Sequence, residues 1–435
     1  MSSFLDVFRI EDTRNKIVTT VLLLLAYRLG FQVPIPGMSA EHLQRAGGGS
    51  VLGMMSAFSG GALGQTTVFS LGIMPYISAS IIFSMLGKVS PTIEAITKEG
   101  ASGQKKINQW TRLSVVPIAL LQAIFVFTGV FLQDTSMIDE SMREHTFLLG
   151  FIVIASLMAG ALLVMWIGEL ITEHGVGNGA SLIIMAGIIA QMPISLLEMA
   201  SDEGFWQILL QISGIWIVTV FFVTFIHKGA RRVPIQYARL TRGRRVYGGQ
   251  RHYLPLKVNM AGVMPIIFAS VIFVVPGLLF AWLEWDGLAR IFSDTTGFIH
   301  VSLYVALVFG FCFFWNRLMF QPDEIADNLR EHGSFIPGIR PGAKTSEYLS
   351  NVLTRITIAG AAFLAVIAVL PSFVTKDSSL PMSLQYFLGG TSVLIVVGVA
   401  LELVDRLQSQ LVAKGYDSQS GGNSGGPGWT KKDRS

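Results

Sequence analysis

Charged residues are scarce in this chain of 435 residues, since Asp, Glu, Lys and Arg together make up only 14%. Soluble globular proteins carry about 25% charged residues, so this scarcity excludes an ordinary water-soluble domain. Cysteine is almost absent too, because Cys312 is the only one. A single cysteine excludes an intrachain disulfide and a metal site built on several thiolates. The chain is 51% hydrophobic with a mean hydropathy of +0.56, which indicates that lipid is its main solvent.

Most apolar blocks also lack ionisable residues at their centres, since Glu169, Glu284, Glu402 and Asp405 fall at block ends. Ion-coupled transporters need such groups at membrane depth, so this absence argues against a proton- or sodium-coupled carrier. The sequence has no phosphate-binding G-x-x-x-x-G-K-[ST] motif and no H-E-x-x-H zinc pair. We therefore expect no enzymatic activity, no cofactor and no bound metal.

The apolar residues themselves are clustered into ten blocks. Each block is near the roughly 17–25 residues that a helix needs to cross about 30 Å of hydrocarbon. Backbone groups find no water in lipid, so each block must be helical. We predict an all-α polytopic membrane protein with ten transmembrane helices. The predicted spans are 17–33, 67–86, 113–132, 148–168, 180–197, 207–227, 261–283, 299–320, 356–374 and 384–404.

Lys and Arg are distributed unevenly between alternate connecting segments. One set of segments, which includes both termini, holds 25 of them, and the other set holds 4. The positive-inside rule places the basic set in the cytoplasm, so both termini are predicted to be cytoplasmic. Residues 1–16 mix charged and apolar side chains, which favours a short helix on the membrane surface over a cleaved signal peptide.

An internal repeat relates two parts of the chain. Residues 72–83 (GIMPYISASIIF) and 262–273 (GVMPIIFASVIF) are identical at 8 of 12 positions with a constant offset of 190. A weaker echo relates residues 179–187 to 390–398, where chance similarity stays an alternative. Both pairs are shifted by five spans. Because five is odd, two homologous halves would insert with opposite orientations and would enclose the functional path between them.

Two features each leave two interpretations open. Gly, Pro and Ser make spans 2 and 7 less hydrophobic. Either these two helices line a cavity or move apart, or they simply pack closely against their neighbours. Residues 50–59 (SVLGMMSAFS) are apolar but too short to cross the bilayer. That segment must pack either on the outer surface of the helix bundle or in an opening within it.

Two cytoplasmic segments, 228–257 and 321–350, carry features of docking sites. Arg pairs and interleaved Tyr residues in the first suit contact with RNA phosphates or an acidic protein surface, and topology signalling alone is the alternative. In the second, the sequence FIPGIRPG predicts a rigid turn that projects Arg340. The Gly/Ser-rich residues 411–435 are predicted to form a disordered cytoplasmic tail.

Segments distributed over spans 1 to 10 resemble the SecY family, the pore-forming subunits of the bacterial protein-export translocon. The segments that carry this resemblance are FSGGALG (58–64), LGIMPYISASII (71–82), EGASGQKKI (99–107), ITEHGVGNGASLIIMAGI (171–188), RRVPIQYA (231–238), GRRVYGGQ (243–250), LPLKVNMAGVMPIIFAS (254–270), ADNLREHGSFIPGIRPG (326–342) and GGTSVLIVVGV (389–399).

The resemblance implies a clamshell of two halves, residues 1–200 and 201–410, hinged between spans 5 and 6 around an hourglass pore. A hydrophobic ring would close the pore, with Ala180 where the family commonly has a larger aliphatic residue. That departure predicts a wider ring or a seal that depends more on the plug. The ring would be formed by Ile73, Ile77, Ala180, Ile184, Ile267 and Ile395, and the plug would be residues 50–61, including Leu52, Met54, Met55, Phe58, Gly60 and Gly61.

The same resemblance implies a lateral gate between spans 2 and 3 on one side and spans 7 and 8 on the other. The gate residues would include Pro75, Ser78, Ser80, Pro265 and Ser270. A motor or ribosome would dock on Arg231, Arg232, Arg244, Arg245, Arg330 and Arg340. The implied partners are SecE and SecG subunits, the SecA motor ATPase, a translating ribosome, signal-bearing precursor proteins and membrane lipid.

The main functional alternative is a secondary transporter of small solutes, which the inverted repeat and span number would also suit. It predicts a polar or charged pocket at the membrane midplane, and the sequence shows none. An intramembrane enzyme and a structural scaffold are further alternatives, the first of which needs a buried nucleophile or metal pair.

Overall fold

The structure is a computed structural model, and most of what it describes is helical. The described residues are 11–38, 67–132, 138–139, 142, 144–199, 205–237, 240–242, 245–247, 251–258, 262–283, 285–293, 297–375 and 389–421. The helices of the first part of the chain are α1 (Glu11–Gly30), α2 (Met74–Val89), α3 (Pro91–Lys98), α4 (Ala101–Val126, followed by a π-helical turn, Phe127–Phe131), α5 (Thr146–His174) and α6 (Gly179–Met199). Those of the second part are α7 (Phe205–Lys228), α8 (Met264–Trp282), α9 (Asp286–Ser293), α10 (Phe298–Met319), α11 (Pro322–Glu331), α12 (Ala343–Thr375) and α13 (Gly390–Gly421).

Each predicted span coincides with one helix, which confirms the all-α membrane fold. Five helical stretches in the described part of the chain are long and apolar enough to cross a bilayer: Ala101–Gly129, Thr146–His174, Phe205–Lys228, Phe298–Glu331 and Ala343–Pro371. A sixth candidate is the pair α2 and α3, which are bent by 99° relative to each other. The number of ten spans therefore stays a prediction.

The outer surface of the long helices is apolar, as expected for contact with acyl chains. Leu29 on α1, Leu210 and Phe221 on α7, and Phe151 on α5 are each at least 65% exposed. Such a density of exposed large apolar side chains would be unstable in water. These faces make the protein a multi-pass membrane protein.

The first and last described helices extend beyond the predicted spans. Residues 11–16, predicted to lie on the membrane surface, form the first turns of α1, and residues 1–10 lie outside the described part. Helix α13 continues to Gly421, so it extends into the segment predicted to be disordered. Residues 403–414 (LVDRLQSQLVAK) contain good helix formers and no Gly or Pro, so a helix already formed propagates through them.

Helix packing repeats with the shift of five spans that the sequence repeat indicates. Helix α2 packs on α4 as α8 packs on α10; α4 packs on α5 as α10 packs on α12; and α5 packs on α6 as α12 packs on α13. Helix α1 contacts α5 and α6, just as α7 contacts α12 and α13. Helices α6 and α13 in turn pack on each other, so these symmetry mates join the two parts of the molecule.

Repeated glycines adopt matching backbone geometry. Gly72 and Gly262 both have positive φ, 54° and 63°, two residues before α2 and α8 begin. This left-handed conformation is easily reached by glycine alone, which explains why both copies of the repeat carry it. Each helix then has a proline in its first turn, Pro75 or Pro265, where a missing N–H costs nothing.

The two segments predicted to be cytoplasmic are joined in one β-sheet rather than forming separate loops. Strand β1 (Ala230–Tyr237) pairs antiparallel with β4 (Arg251–Lys257) and with β5 (Ser334–Phe335), which comes from the second segment. Strands β2 (Leu240–Arg242) and β3 (Arg245–Tyr247) form a separate hairpin. A small core with Val233, Leu256, Ile336 and Leu349 fastens the sheet to the start of α12. We call this sheet with α11 the cytoplasmic layer, after the side of the membrane on which the sequence predicts it to lie.

Candidate functional site

Aliphatic side chains from both parts of the chain meet at the centre of the bundle. Five residues of the predicted ring are at most 9% exposed: Ile73, Ile77, Ile184, Ile267 and Ile395. All five belong to one hydrophobic cluster, and the half-buried Ala180 packs against it. The structure thus brings the six side chains together away from lipid. Their role as a seal stays a prediction.

The repeat places these residues at equivalent points of their helices. Ile77 and Ile267 are each three residues after the first residue of α2 and α8. Ile184 and Ile395 are each five residues after the first residue of α6 and α13. Two symmetry-related pairs of side chains in one hydrophobic cluster can surround a common axis, which is the arrangement that a constriction requires.

Close helix contacts hold α6 and α13 in place. Gly179 and Gly390 are the first residues of these helices, and neither has room for a Cβ atom. At Gly179 the obstacle is the main chain of Gly168 on α5, and at Gly390 it is the main chain of Ile367 on α12. The weaker internal repeat, residues 179–187 and 390–398, therefore begins in both copies where two helix backbones approach closely.

A polar cavity of about 770 Å³ adjoins the hydrophobic cluster. Its wall reaches Met264 and the ring residue Ile267, while its remaining lining is largely polar. The charged lining residues are three basic and three acidic side chains: Lys16, Lys257, Arg406, Glu173, Glu402 and Asp405. The Lys257 Nζ lies 3.6 Å from Asp405 Oδ2, and Arg406 Nη2 donates to Glu402 Oε1 at 2.8 Å. The cavity wall therefore combines apolar side chains with charged groups whose signs balance.

This cavity could not be predicted from the sequence. Its lining comes from α1, α5, the segment that joins α5 and α6, and from α6, α7, β4, α8, α10 and α13. No local motif unites such distant segments. The position of Glu402 and Asp405 at the end of a predicted span was the only available signal.

The predicted gate residues connect helices within each half. Ser78 Oγ on α2 accepts a hydrogen bond from Gln122 Nε2 on α4 at 3.5 Å. Ser270 Oγ on α8 lies 3.2 Å from the hydroxyl of Tyr304 on α10. Ser80 is half-buried, and its carbonyl accepts the hydroxyl of Ser84 within α2. Both gate prolines, Pro75 and Pro265, are buried.

The predicted docking arginines lie mostly in the cytoplasmic layer. Arg231 and Arg232 on β1, Arg330 at the end of α11, and Arg340 are exposed. Arg245 is in β3, and Arg244 lies outside the described residues. Pairing of Gln236 with Phe335 brings the two predicted docking segments side by side.

The turn that carries Arg340 is firmly anchored. Gly338 and Gly342 have φ of 84° and 100°, which only glycine reaches without strain. Thr345 Oγ1 donates to the Arg340 carbonyl at 3.0 Å, and Ile336 is buried beneath the turn. The Arg340 backbone is fixed while its side chain is exposed.

The predicted plug lies outside the described residues. This applies to Leu52, Met54, Met55, Phe58, Gly60 and Gly61 alike.

Comparisons with known proteins agree with this geometry. The SecY family model matches residues 67–404. The protein translocase subunit SecY of Streptomyces lividans is 38% identical over 437 residues, which cover 96% of this chain and 99% of the relative. That of Escherichia coli K12 is 39% identical over 420 residues, 94% of each chain. A solved structure described as a protein conducting channel superposes with a TM-score of 0.61 at 17% identity, covering 92% of this chain and 93% of that one. The chain belongs to the SecY family.

Proposed function

We propose that this chain is the central channel subunit of a Sec translocase, which passes unfolded secretory proteins across the cell membrane and releases membrane segments sideways into lipid. One observation supports this most strongly: a charge-balanced polar cavity adjoins a cluster of aliphatic side chains contributed by both halves. Family membership supports the same function and leaves the small-solute transporter without support.

A protein-conducting pore must block ions and still let a polypeptide pass, and an aliphatic ring can do both. Branched alkyl groups offer no hydrogen bonds, so a narrow ring of them dewets and blocks ions. The same groups bind no particular sequence, so any side chain can slide past them. Ala180 is the smallest member of the ring, so we expect either a wider ring or a seal that depends more on the plug predicted at residues 50–61.

The polar cavity is the entrance to this ring. A cavity of about 770 Å³ is large enough to hold several residues of an extended chain together with water. Its three basic and three acidic side chains favour neither sign of charge in the passing chain. This suits a channel that must accept many different precursors.

Lateral release would follow separation of α2 and α4 from α8 and α10. The Ser78–Gln122 and Ser270–Tyr304 contacts hold each pair of helices together within its own half. Opening therefore breaks the boundary between the pairs, where an apolar signal helix can intercalate. The small residues of α2 and α8 make this boundary easy to part.

The energy for transport comes from a partner, which docks on the cytoplasmic layer. The exposed Arg231, Arg232, Arg330 and Arg340 suit a SecA motor or a translating ribosome. A structural neighbour with a TM-score of 0.59 is described as Sec61 in a canine ribosome-channel complex. SecE and SecG subunits would brace the two halves, and both termini would be cytoplasmic.

Conductance of the reconstituted resting channel tests the seal. Ile77→Asn and Ile184→Asn should each raise ion leakage, because an amide side chain wets the ring. The matched control is Ile189→Asn, which is on α6 like Ile184. Ile189 is 43% exposed and does not belong to the hydrophobic cluster of the ring. Unchanged conductance in both ring variants, with normal membrane insertion, would count against the proposed seal.

A further inference from the structure

The start of α6 depends on side chains outside the helix for its hydrogen bonds. The first backbone N–H groups of any helix lack partners within it. Asn178 precedes α6, and its Oδ1 accepts the N–H groups of Ala180 and Ser181 at 3.0 and 3.5 Å. The N–H of Gly179 instead donates to Thr172 Oγ1 at 2.8 Å.

Thr172 belongs to the preceding helix, so its hydroxyl ties α5 to α6. That hydroxyl also donates to the Gly168 carbonyl at 2.9 Å. The main chain of Gly168 is the same group that leaves no room for a Cβ at Gly179. One hydroxyl therefore spans the point where the two backbones come closest.

Three residues of the predicted ring lie close to this contact between α5 and α6. A Cβ built on Gly168 would lie 3.3 Å from Cδ1 of Ile73, so that ring residue rests on Gly168. Ala180 follows Gly179 directly, and Ile184 is one helical turn further along α6. A shift of the α6 N-terminus relative to α5 would move Ala180 and Ile184 relative to Ile73, which rests on α5.

We infer that Thr172 is a positioning residue for the seal: its hydroxyl fixes the N-terminus of α6 against α5 and thereby sets how closely Ile73, Ala180 and Ile184 approach. The inference rests on the proposed role of these three residues in the ring. It assigns a function to a side chain that lines the cavity and is not itself a member of the ring.

The surrounding contacts restrict how the turn can respond. Val176 donates its N–H to Thr20 Oγ1 on α1 at 3.0 Å, and its side chain packs in a cluster with Leu403 and Leu407 of α13. The turn is thus held from both sides, and Gly179 is buried. Because the turn cannot move, removal of the Thr172 hydroxyl should displace α6 itself.

Three substitutions separate hydrogen bonding from packing. Thr172→Ser keeps the hydroxyl and should behave like the wild type. Thr172→Ala removes it but leaves space for water from the cavity, which Thr172 lines. Thr172→Val places a methyl group against the buried Gly179 amide and should have the largest effect. The control is Thr354→Val on α12, an exposed threonine whose hydroxyl donates to the Ser350 carbonyl at 2.9 Å.

Two measurements on the full channel in bilayers test the inference. Hydrogen exchange in peptides covering 176–184 reports the Gly179 amide, and Thr172→Val should accelerate its exchange about tenfold, as for loss of one hydrogen bond. Resting ion conductance should rise in the order Ser, Ala, Val at position 172 and stay unchanged in Thr354→Val.

The outcomes separate this inference from the function on which it rests. If Ile184→Asn leaks and Thr172→Val does not, the positioning role is overturned and the ring stands. Unchanged exchange at Gly179 in Thr172→Val overturns the inference by itself. If Thr172→Val accelerates exchange but neither it nor Ile184→Asn raises conductance, the ring proposal fails and the inference fails with it.

Discussion

Individual glycines determine how closely the helices of each half approach. Gly179 and Gly390 occupy equivalent positions in the two halves, and each faces the main chain of the preceding helix. Gly214 on α7 has the opposite environment, with open space where a Cβ would be. The same substitution should therefore have opposite effects at these positions.

We expect Gly179→Ala and Gly390→Ala each to lower the free energy of unfolding by about 1–3 kcal/mol, because the added methyl group meets a rigid backbone. Thermal unfolding in detergent measures this loss. Gly214→Ala should instead stabilise the protein by about 0.5–1 kcal/mol, since alanine favours the helix. Equal shifts at all three positions would contradict the close approach.

The sequence anticipated the ring residues better than the cavity for a physical reason. Ile77 and Ile267 follow identical Gly–x–Met–Pro segments, and identical local residues produce identical helix starts. Lys16 and Asp405, by contrast, share the cavity only because distant helices converge. Local patterns carry no information on such convergence.

At the scale of elements, the cytoplasmic layer converts two separate segments into one rigid surface. Both segments were predicted to be loops, because their many charges hide the alternation of buried Val233 and Ile235 with exposed neighbours. The prediction of a Pro/Gly turn around Arg340 did not depend on such alternation. Two positive-φ glycines and the Thr345 hydrogen bond now give that turn a structural basis.

Arg340→Glu should reduce motor-driven export about tenfold or more, as expected when a charge is reversed at a docking contact. The channel should still insert normally, because the side chain is exposed and the turn is held by its backbone. Lys344→Glu is the matched control, since Lys344 is exposed and has an ion pair with Glu347 instead. Export and membrane abundance are measured together. An equal loss of both in Arg340→Glu would indicate a folding defect and contradict docking.

At the scale of the whole molecule, two halves with the same packing pattern are joined along α6 and α13. This arrangement leaves α2 and α8, which carry the stronger repeat, on the boundary proposed to open. The span number of ten is still a prediction, because five helices of the described residues, or six with the pair α2 and α3, are long and apolar enough to cross a bilayer.

A short crosslink between cysteines placed at Ser80 and Ser270, with Cys312 changed to Ser, should abolish translocation because it joins α2 to α8. A long flexible crosslinker at the same positions should restore it. The control is a crosslink between cysteines at positions 257 and 405, which lie in the same half and form an ion pair at 3.6 Å in the wild type. Full activity with the short α2–α8 crosslink would refute the lateral gate.

Photocrosslinking of an arrested precursor tests the central claim most directly. A photoreactive amino acid is placed in turn at Ile77, Ile184, Ile267 and Ile395, and at the exposed Ile189 as control, while a signal-bearing precursor is halted during export. We predict strong crosslinks to the precursor from the four buried positions and none from Ile189. Crosslinks from Ile189 with none from the four isoleucines would contradict a polypeptide path through the centre of the bundle.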